Sequence, residues 1–137
     1  MTARPDKGHV FPDHACGTIG QDRVQGYADV SGDDNPIHTD AAAARSIGLD
    51  GTIIQGMLLM ALADQALAVW LPSAACRRLA MRFARPAPTG TSIVLGGRVV
   101  QRDTAGEADA ATLRIFVKDQ AGTVLAMAEA LVELPRP

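Results

Sequence analysis

At 137 residues, 47% hydrophobic and 20% charged, the chain is expected to form one globular domain, large enough to bury roughly two-thirds of its unfolded surface without staples. Aromatics make up only 4%, so the core should be aliphatic, and a formal net charge of -2 without aromatics interleaved among Lys and Arg excludes the footprint of a nucleic-acid binder. Cys16 and Cys76 allow one bridge at most, and the opening M-T-A-R-P-D-K-G lacks the apolar run of a secretory signal, so free thiols and a cytoplasmic location are expected.

Met1 to Pro12 mixes Pro5, Gly8, Pro12 and charges without periodicity, which predicts a flexible tail or an arm hugging a sheet edge. His9 and His14 read as surface histidines. Ala15 to Ile19 suits a short strand. Gly20 to Val30 then reads as a helix, with Val24, Tyr27 and Ala28 inward and Gln21, Asp22, Arg23 and Gln25 outward. Ser31-Gly32 ends it, since Gly readily takes the left-handed conformation past a helix C-terminus.

Asp33-Asp34-Asn35-Pro36 is turn chemistry: Asp and Asn bond back to nearby amides, and Pro disfavours a helical conformation in the residue before it. Thr39-Asp40 can cap a short run from Ala41 to Ser46 before Gly48 and Gly51 interrupt the chain. From Gly56 to Leu71 runs the most apolar helix, with Met57, Leu58, Leu59, Met60, Leu62, Leu67, Val69 and Trp70 leaving no broad polar face; it is expected to be surrounded on all sides and closed by Pro72. The apolar run from Ile53 to Leu71 approaches the length of a membrane span, but Gln55, Asp64 and Gln65 interrupt it and favour a buried core helix.

Beyond Pro72 the period changes to two. Leu79, Met81 and Phe83 alternate with Ala80, Arg82 and Ala84; three further runs around Ile93 to Val99, Leu113 to Val117 and Val124 to Val132 do the same. Residues 85–90 and 119–122 are the connecting turns, the second short enough for a hairpin. The order predicts an α+β domain, an antiparallel sheet wrapped around one central helix. No metal-ligand or dinucleotide motif is present.

The chemistry concentrates at Asp33 and His38, five positions apart around the Asn35-Pro36 turn. A carboxylate and an imidazole so placed can grip one water between them. Gly56 can complete such a site, because the first amides of a helix are unpaired and carry partial positive charge, and Gly admits a substrate oxygen. Together these suit adding or removing water beside a carbonyl. The alternative is purely structural, with Asp33, Asp34 and Asn35 building the turn and His38 satisfying a nearby carbonyl.

The run Tyr27-x-x-x-Ser31-Gly32-Asp33-Asp34-Asn35-Pro36-Ile37-His38, followed by Gly56-Met57 and by Arg82-Phe83-Ala84-Arg85-Pro86-Ala87 with Gly90, strongly resembles the MaoC-like, or (R)-specific, enoyl-CoA hydratase family. The resemblance covers most of the chain beyond the tail. It implies a hotdog fold, a homodimer whose sheets join edge to edge, and reversible syn hydration of a trans-2-enoyl thioester to the (R)-3-hydroxyacyl thioester. It also implies no metal or redox cofactor, coenzyme A or a carrier phosphopantetheine entering only as part of the substrate. Carried over position by position, Asp33 and His38 match the catalytic pair, Asn35 the residue that shapes the loop, and Gly56 the residue whose amide polarises the thioester carbonyl, with Gln55 and Met57 flanking it. Asp34 takes no role.

Two features depart from the pattern. The family usually has His where this chain has Gln55, and Gln can donate and accept but cannot carry a proton at neutral pH. Asp64 lies seven residues after Met57, on nearly the same helix face; it either lines the acyl pocket or meets an Arg such as Arg82. Arg77, Arg78, Arg82 and Arg85 cluster after the helix and suit either substrate phosphates or a solvated strand end. Two competing functions stand beside hydration: a hotdog thioesterase, and a noncatalytic partner subunit of a heteromeric dehydratase.

Overall fold

The computed structural model describes residues 4–136. Strand β1 (Val10–Thr18) precedes helix α1 (Gln21–Ser31), a 3-10 turn (Pro36–His38), short helix α2 (Ala41–Ser46) and long helix α3 (Gly56–Trp70); β2 (Ala75–Phe83), β3 (Ser92–Asp103), β4 (Asp109–Lys118) and β5 (Val124–Leu134) follow. All five strands form one antiparallel sheet in the order β1-β3-β4-β5-β2, with α3 packed on its inner face.

The register explains how a 15-residue helix fits inside the sheet. Leu95 stands opposite Val117, Gly97 opposite Ile115 and Val99 opposite Leu113, and these continue onto Ala126, Ala128 and Ala130 of β5. Inward-facing alanines and Gly97 leave room for Leu59, Leu62, Ala63, Ala66 and Trp70 to pack closely, all of them buried. The outward positions carry Arg98, Arg114 and Glu129, as period-two alternation requires.

Two expectations are corrected. The opening stretch, read as a flexible tail or an arm hugging a sheet edge, is the second from Arg4 onward: Arg4 pairs with the buried Asp109, the Gly8 amide donates to Val99 O at 2.8 Å, Phe11 is buried and the edge strand β1 begins at Val10 rather than at Ala15. Its first three residues lie outside the described region. Register shifts between Phe11 and His14 and between Ala15 and Gly17 break the alternation that would have marked this strand. Helix α3 is not surrounded by its own chain, since Met57 and Val69 are 59% and 62% exposed and Ala61, Asp64, Gln65 and Ala68 share the open side. Cys16 and Cys76 are free thiols, as expected.

No helix among the described residues is long and apolar enough to cross a membrane.

Candidate active site

The turn after α1 is built by a ladder of side-chain to backbone bonds. Gly32 takes the left-handed conformation at φ 76° and its amide donates to Ala28 O, ending the helix. The Asp33 amide then donates to Ser31 Oγ at 3.1 Å, the Asn35 amide to Asp33 Oδ1 at 3.2 Å, and the Ile37 amide to Asn35 Oδ1 at 3.3 Å. Asn35 thus caps the 3-10 turn opened by Pro36. Asp33 spends one carboxylate oxygen on this ladder and keeps Oδ2 free of it.

His38 is drawn inward at the end of the turn, its side chain 9% exposed against 39% for Asp33. Its Nδ1 lies 2.7 Å from Ile53 O. A carbonyl oxygen only accepts, so Nδ1 carries the hydrogen and, in the neutral ring, Nε2 presents a lone pair. Nε2 stands 3.5 Å from Asp33 Oδ2. Two acceptors at that separation fit a water that donates to both, or an imidazolium. The arrangement brings Asp33 and His38 together, with His38 fixed and one oxygen of Asp33 accessible.

Gln21 was read as an outward residue of α1, yet it supports this loop. Its Nε2 donates to His38 O at 2.8 Å and its Oε1 accepts from Thr52 Oγ1 at 2.8 Å. Helical periodicity could not signal this, because Gln21 sits in the first turn and reaches across the turn rather than along the helix. Ile53, whose carbonyl orients His38 and whose amide donates to Ile37 O at 3.2 Å, was also missed.

From Ile53 the chain runs through Ile54 and Gln55 into α3. Gln55 O accepts from the amides of both Leu58 and Leu59, while no acceptor among the described residues takes the Gly56 amide. Gly56, at the positive end of the helix dipole, borders a cavity of about 290 Å³ together with Ile53, Leu59, Phe83, Arg85 and Ala87. Phe83 rests on Gly56: a Cβ built there would lie 2.7 Å from the tip of the ring. Met57 follows on the exposed side.

Gln55 is expected beside the oxyanion position, but its side chain turns away. It is 0% exposed and its Nε2 donates to Val24 O at 2.8 Å, tying α1 to the start of α3; Oε1 has no donor among the described residues. Of the two readings of Asp64, the meeting with an Arg is not found among the described residues. Asp64 is exposed beside a recess shared with Leu67 and Cys76, eight residues and hence about 12 Å along the helix from Gly56. Arg82 lies elsewhere, in a groove on the outer sheet face with Arg114, Met127 and Glu129. Burial, and next the charge of Asp64, pushes the Cys76 thiol up, and burial opposed by Arg23 does so for Cys16. The arginine cluster is dispersed as well: Arg77 pairs with Glu133 at 2.8 Å, Arg78 lines a recess with Glu129 and Leu131, and Arg85 alone of the four borders the cavity at Gly56.

An antiparallel sheet curled around one long helix, with an acid and imidazole pair at the turn leading to the helix, defines the hotdog class. The model of the MaoC-like domain matches residues 6–116, and the chain belongs to that family. Among solved structures it resembles the (R)-hydratase from A. caviae involved in PHA biosynthesis, with 26% identity, a TM-score of 0.85, and 96% of this chain and 98% of that one covered. R-hydratase PhaJ1 from Pseudomonas aeruginosa is similar, with 27% identity, a TM-score of 0.84 and coverage of 97% and 84%. The mitochondrial 3-hydroxyacyl-[acyl-carrier-protein] dehydratase FERN of Solanum lycopersicum is 31% identical over 77 residues, 56% of this chain and 47% of that protein. The chain spans about half the length of the curated relatives it matches.

Proposed function

We propose that the chain is a hydro-lyase that adds water reversibly to a trans-2-enoyl thioester, giving the (R)-3-hydroxyacyl thioester. The observation that carries this reading is the 3.5 Å gap between Asp33 Oδ2 and His38 Nε2, with His38 Nδ1 committed to Ile53 O. A water held there donates to both groups. Its oxygen forms the bond to C3, its proton passes to the Asp33 carboxylate, and the C2–C3 π electrons move onto the thioester oxygen. The Gly56 amide, with the dipole of α3 behind it, stabilises that oxyanion. A proton returned from the site to C2 completes net addition of one water and leaves the protein unchanged.

His38 orients the water, and Asn35 holds the loop in shape. Arg85, at the rim of the cavity, suits the phosphates of coenzyme A or of a carrier arm. A homodimer joined along β2 accompanies this reading. Both β1 and β2 are edge strands, but β1 is broken by two register shifts, whereas β2 pairs without a shift from Arg78 to Phe83 and offers a regular free edge.

Incubation with crotonyl-CoA tests the activity. Loss of the conjugated enoyl absorbance with no thiol released is expected. Release of thiol would identify a thioesterase instead, and no change in either signal would favour the noncatalytic partner subunit.

A further inference from the structure

Gln21 opens α1 and ties two separate segments together with the two ends of one amide. Its Nε2 donates to His38 O at 2.8 Å and its Oε1 accepts from Thr52 Oγ1 at 2.8 Å. A carbonyl oxygen only accepts, so the amide nitrogen must face His38 and the amide oxygen Thr52. Thr52 is itself held, its carbonyl accepting from the Thr89 amide at 3.0 Å and its Oγ1 lying 3.0 Å from Thr89 Oγ1. The next residue, Ile53, turns its carbonyl to His38 Nδ1 at 2.7 Å. The contacts therefore close a ring: Gln21 to the backbone of His38, the imidazole of His38 to Ile53, one peptide unit back to Thr52, and Thr52 to Gln21.

This ring joins two segments that hydration uses differently. The turn with Asp33 and His38 holds the water, and the run from Thr52 to Gly56 carries the amide that receives the oxyanion. Among the described residues these segments share two direct hydrogen bonds, the Ile53 amide to Ile37 O at 3.2 Å and His38 Nδ1 to Ile53 O. The first leaves the imidazole free to turn. The second keeps the hydrogen on Nδ1 and the lone pair on Nε2, 3.5 Å from Asp33 Oδ2. Val24 O, one turn further along α1, accepts from Gln55 Nε2 at 2.8 Å, so the same helix also holds the start of α3. Misplacing reacting groups by about 1 Å can cost about 100-fold in rate, and α1 is the element that sets the two segments against each other. We infer that Gln21 is a positioning residue for the hydration: it clamps the His38 turn to Thr52, keeping Nδ1 on Ile53 O and the Nε2 lone pair on the water. The inference rests on the hydratase reading and adds to that site a residue that touches neither water nor thioester.

The test uses Gln21→Met, which keeps the length of the side chain but neither tie, and Thr52→Val, which removes only the hydroxyl. With crotonyl-CoA, Gln21→Met should lower kcat by about 10-fold to 100-fold and change KM by less than about threefold, because no contact with substrate is lost. Thr52→Val should lower kcat by a smaller factor. The second readout is nitrogen NMR of the imidazoles without substrate at about pH 8, where an ordinary imidazole is neutral, with a His38→Ala spectrum to identify the His38 signals. In the unaltered protein His38 should show a protonated Nδ1 and a bare Nε2; in Gln21→Met the two nitrogen shifts should move towards each other as tautomers mix. A folded Gln21→Met protein whose kcat stays within about twofold, or whose kcat falls while the His38 shifts stay put, would assign Gln21 to packing alone and overturn the inference. Thr52→Val carries both readouts if Gln21→Met does not fold, and unchanged kcat and shifts there would equally overturn it. An unaltered protein inert towards crotonyl-CoA would overturn the hydratase reading, and this inference with it; the spectra, which need no turnover, tell the two failures apart.

Discussion

At each end of α3 a glycine meets an aromatic ring, and the two meetings differ in what they leave free. At the C-terminal end Trp70 lies across Gly97, and an added Cβ would come 2.6 Å from its ring. That indole is buried, donates from Nε1 to Pro12 O at 2.9 Å and stacks on Phe11 with centroids 5.2 Å apart. At the N-terminal end Phe83 lies on Gly56, half-exposed and with an open cavity beside it. At the first of these the ring is enclosed and holds β1, β3 and the helix together. The other leaves a helix amide and an apolar wall accessible. On the proposed function stability and chemistry fall to opposite ends of one helix, and substitutions at the two ends should have separable effects.

The largest effect belongs at the chemical end. Asp33→Asn keeps an oxygen to accept the Asn35 amide and so preserves the turn, but the amide side chain cannot take a proton from water. Turnover of crotonyl-CoA should fall by about 100-fold to 10,000-fold with the melting temperature nearly unchanged. A near-normal kcat in the folded variant would remove Asp33 from the mechanism.

His38→Ala should be comparably damaging, since it deletes the other side of the water's grip. On the proposed mechanism both groups act on one water, so the Asp33→Asn/His38→Ala double variant should lose little more than either single variant. Multiplicative losses, measured as kcat on proteins of equal folded fraction, would show that the two work independently.

The glycines test the comparison directly. Gly97→Ala forces a methyl against an indole fixed by a hydrogen bond and a stack, and should cost about 1–3 kcal/mol in denaturant-midpoint stability. Gly56→Ala should cost less, because the Phe83 tip need retreat only from 2.7 Å to an ordinary contact of 3.4 Å and has open space beside it. Equal losses of stability in the two variants would mean that the two ends of α3 are closed alike.

The same contrast explains what the sequence could and could not disclose. Strands β3, β4 and β5 were legible because Ile93, Val99, Leu113, Ile115, Val117, Ala128 and Ala130 alternate with exposed or half-buried neighbours, and α3 because its apolar residues, interrupted only at Asp64 and Gln65, run to Pro72. The Asp33 to His38 turn was legible because each bond in its ladder spans two residues. What was not legible depends on contacts between distant segments. Phe11 belongs to the core although Pro12 and two register shifts hide its strand. The open side of α3 escaped because an apolar pattern reports that a face resists water, not which surface covers it. Phe83 was read as an ordinary inward strand residue, and nothing in its spacing pointed to Gly56, 27 positions earlier.

Gln55 is where the chain leaves its family's pattern, and the structure sharpens what restoring the usual residue should do. The side chain is fully buried and its one bond, to Val24 O, runs away from the cavity, so its task is to hold the start of α3 against α1 and thereby aim the Gly56 amide. A neutral imidazole has one N–H to offer the same carbonyl and leaves its other nitrogen much as Gln55 Oε1 is left, without a donor. The exchange preserves the tie and introduces no new reacting group. Gln55→His should therefore change kcat/KM for crotonyl-CoA by less than about tenfold, or about 1.4 kcal/mol of barrier. The measurement is a pair of kcat/KM values on folded proteins of equal oligomeric state. A gain well beyond tenfold would mean that the buried Gln marks a site of reduced activity, and that the N-terminal end of α3 is tuned through this position as well as through Gly56.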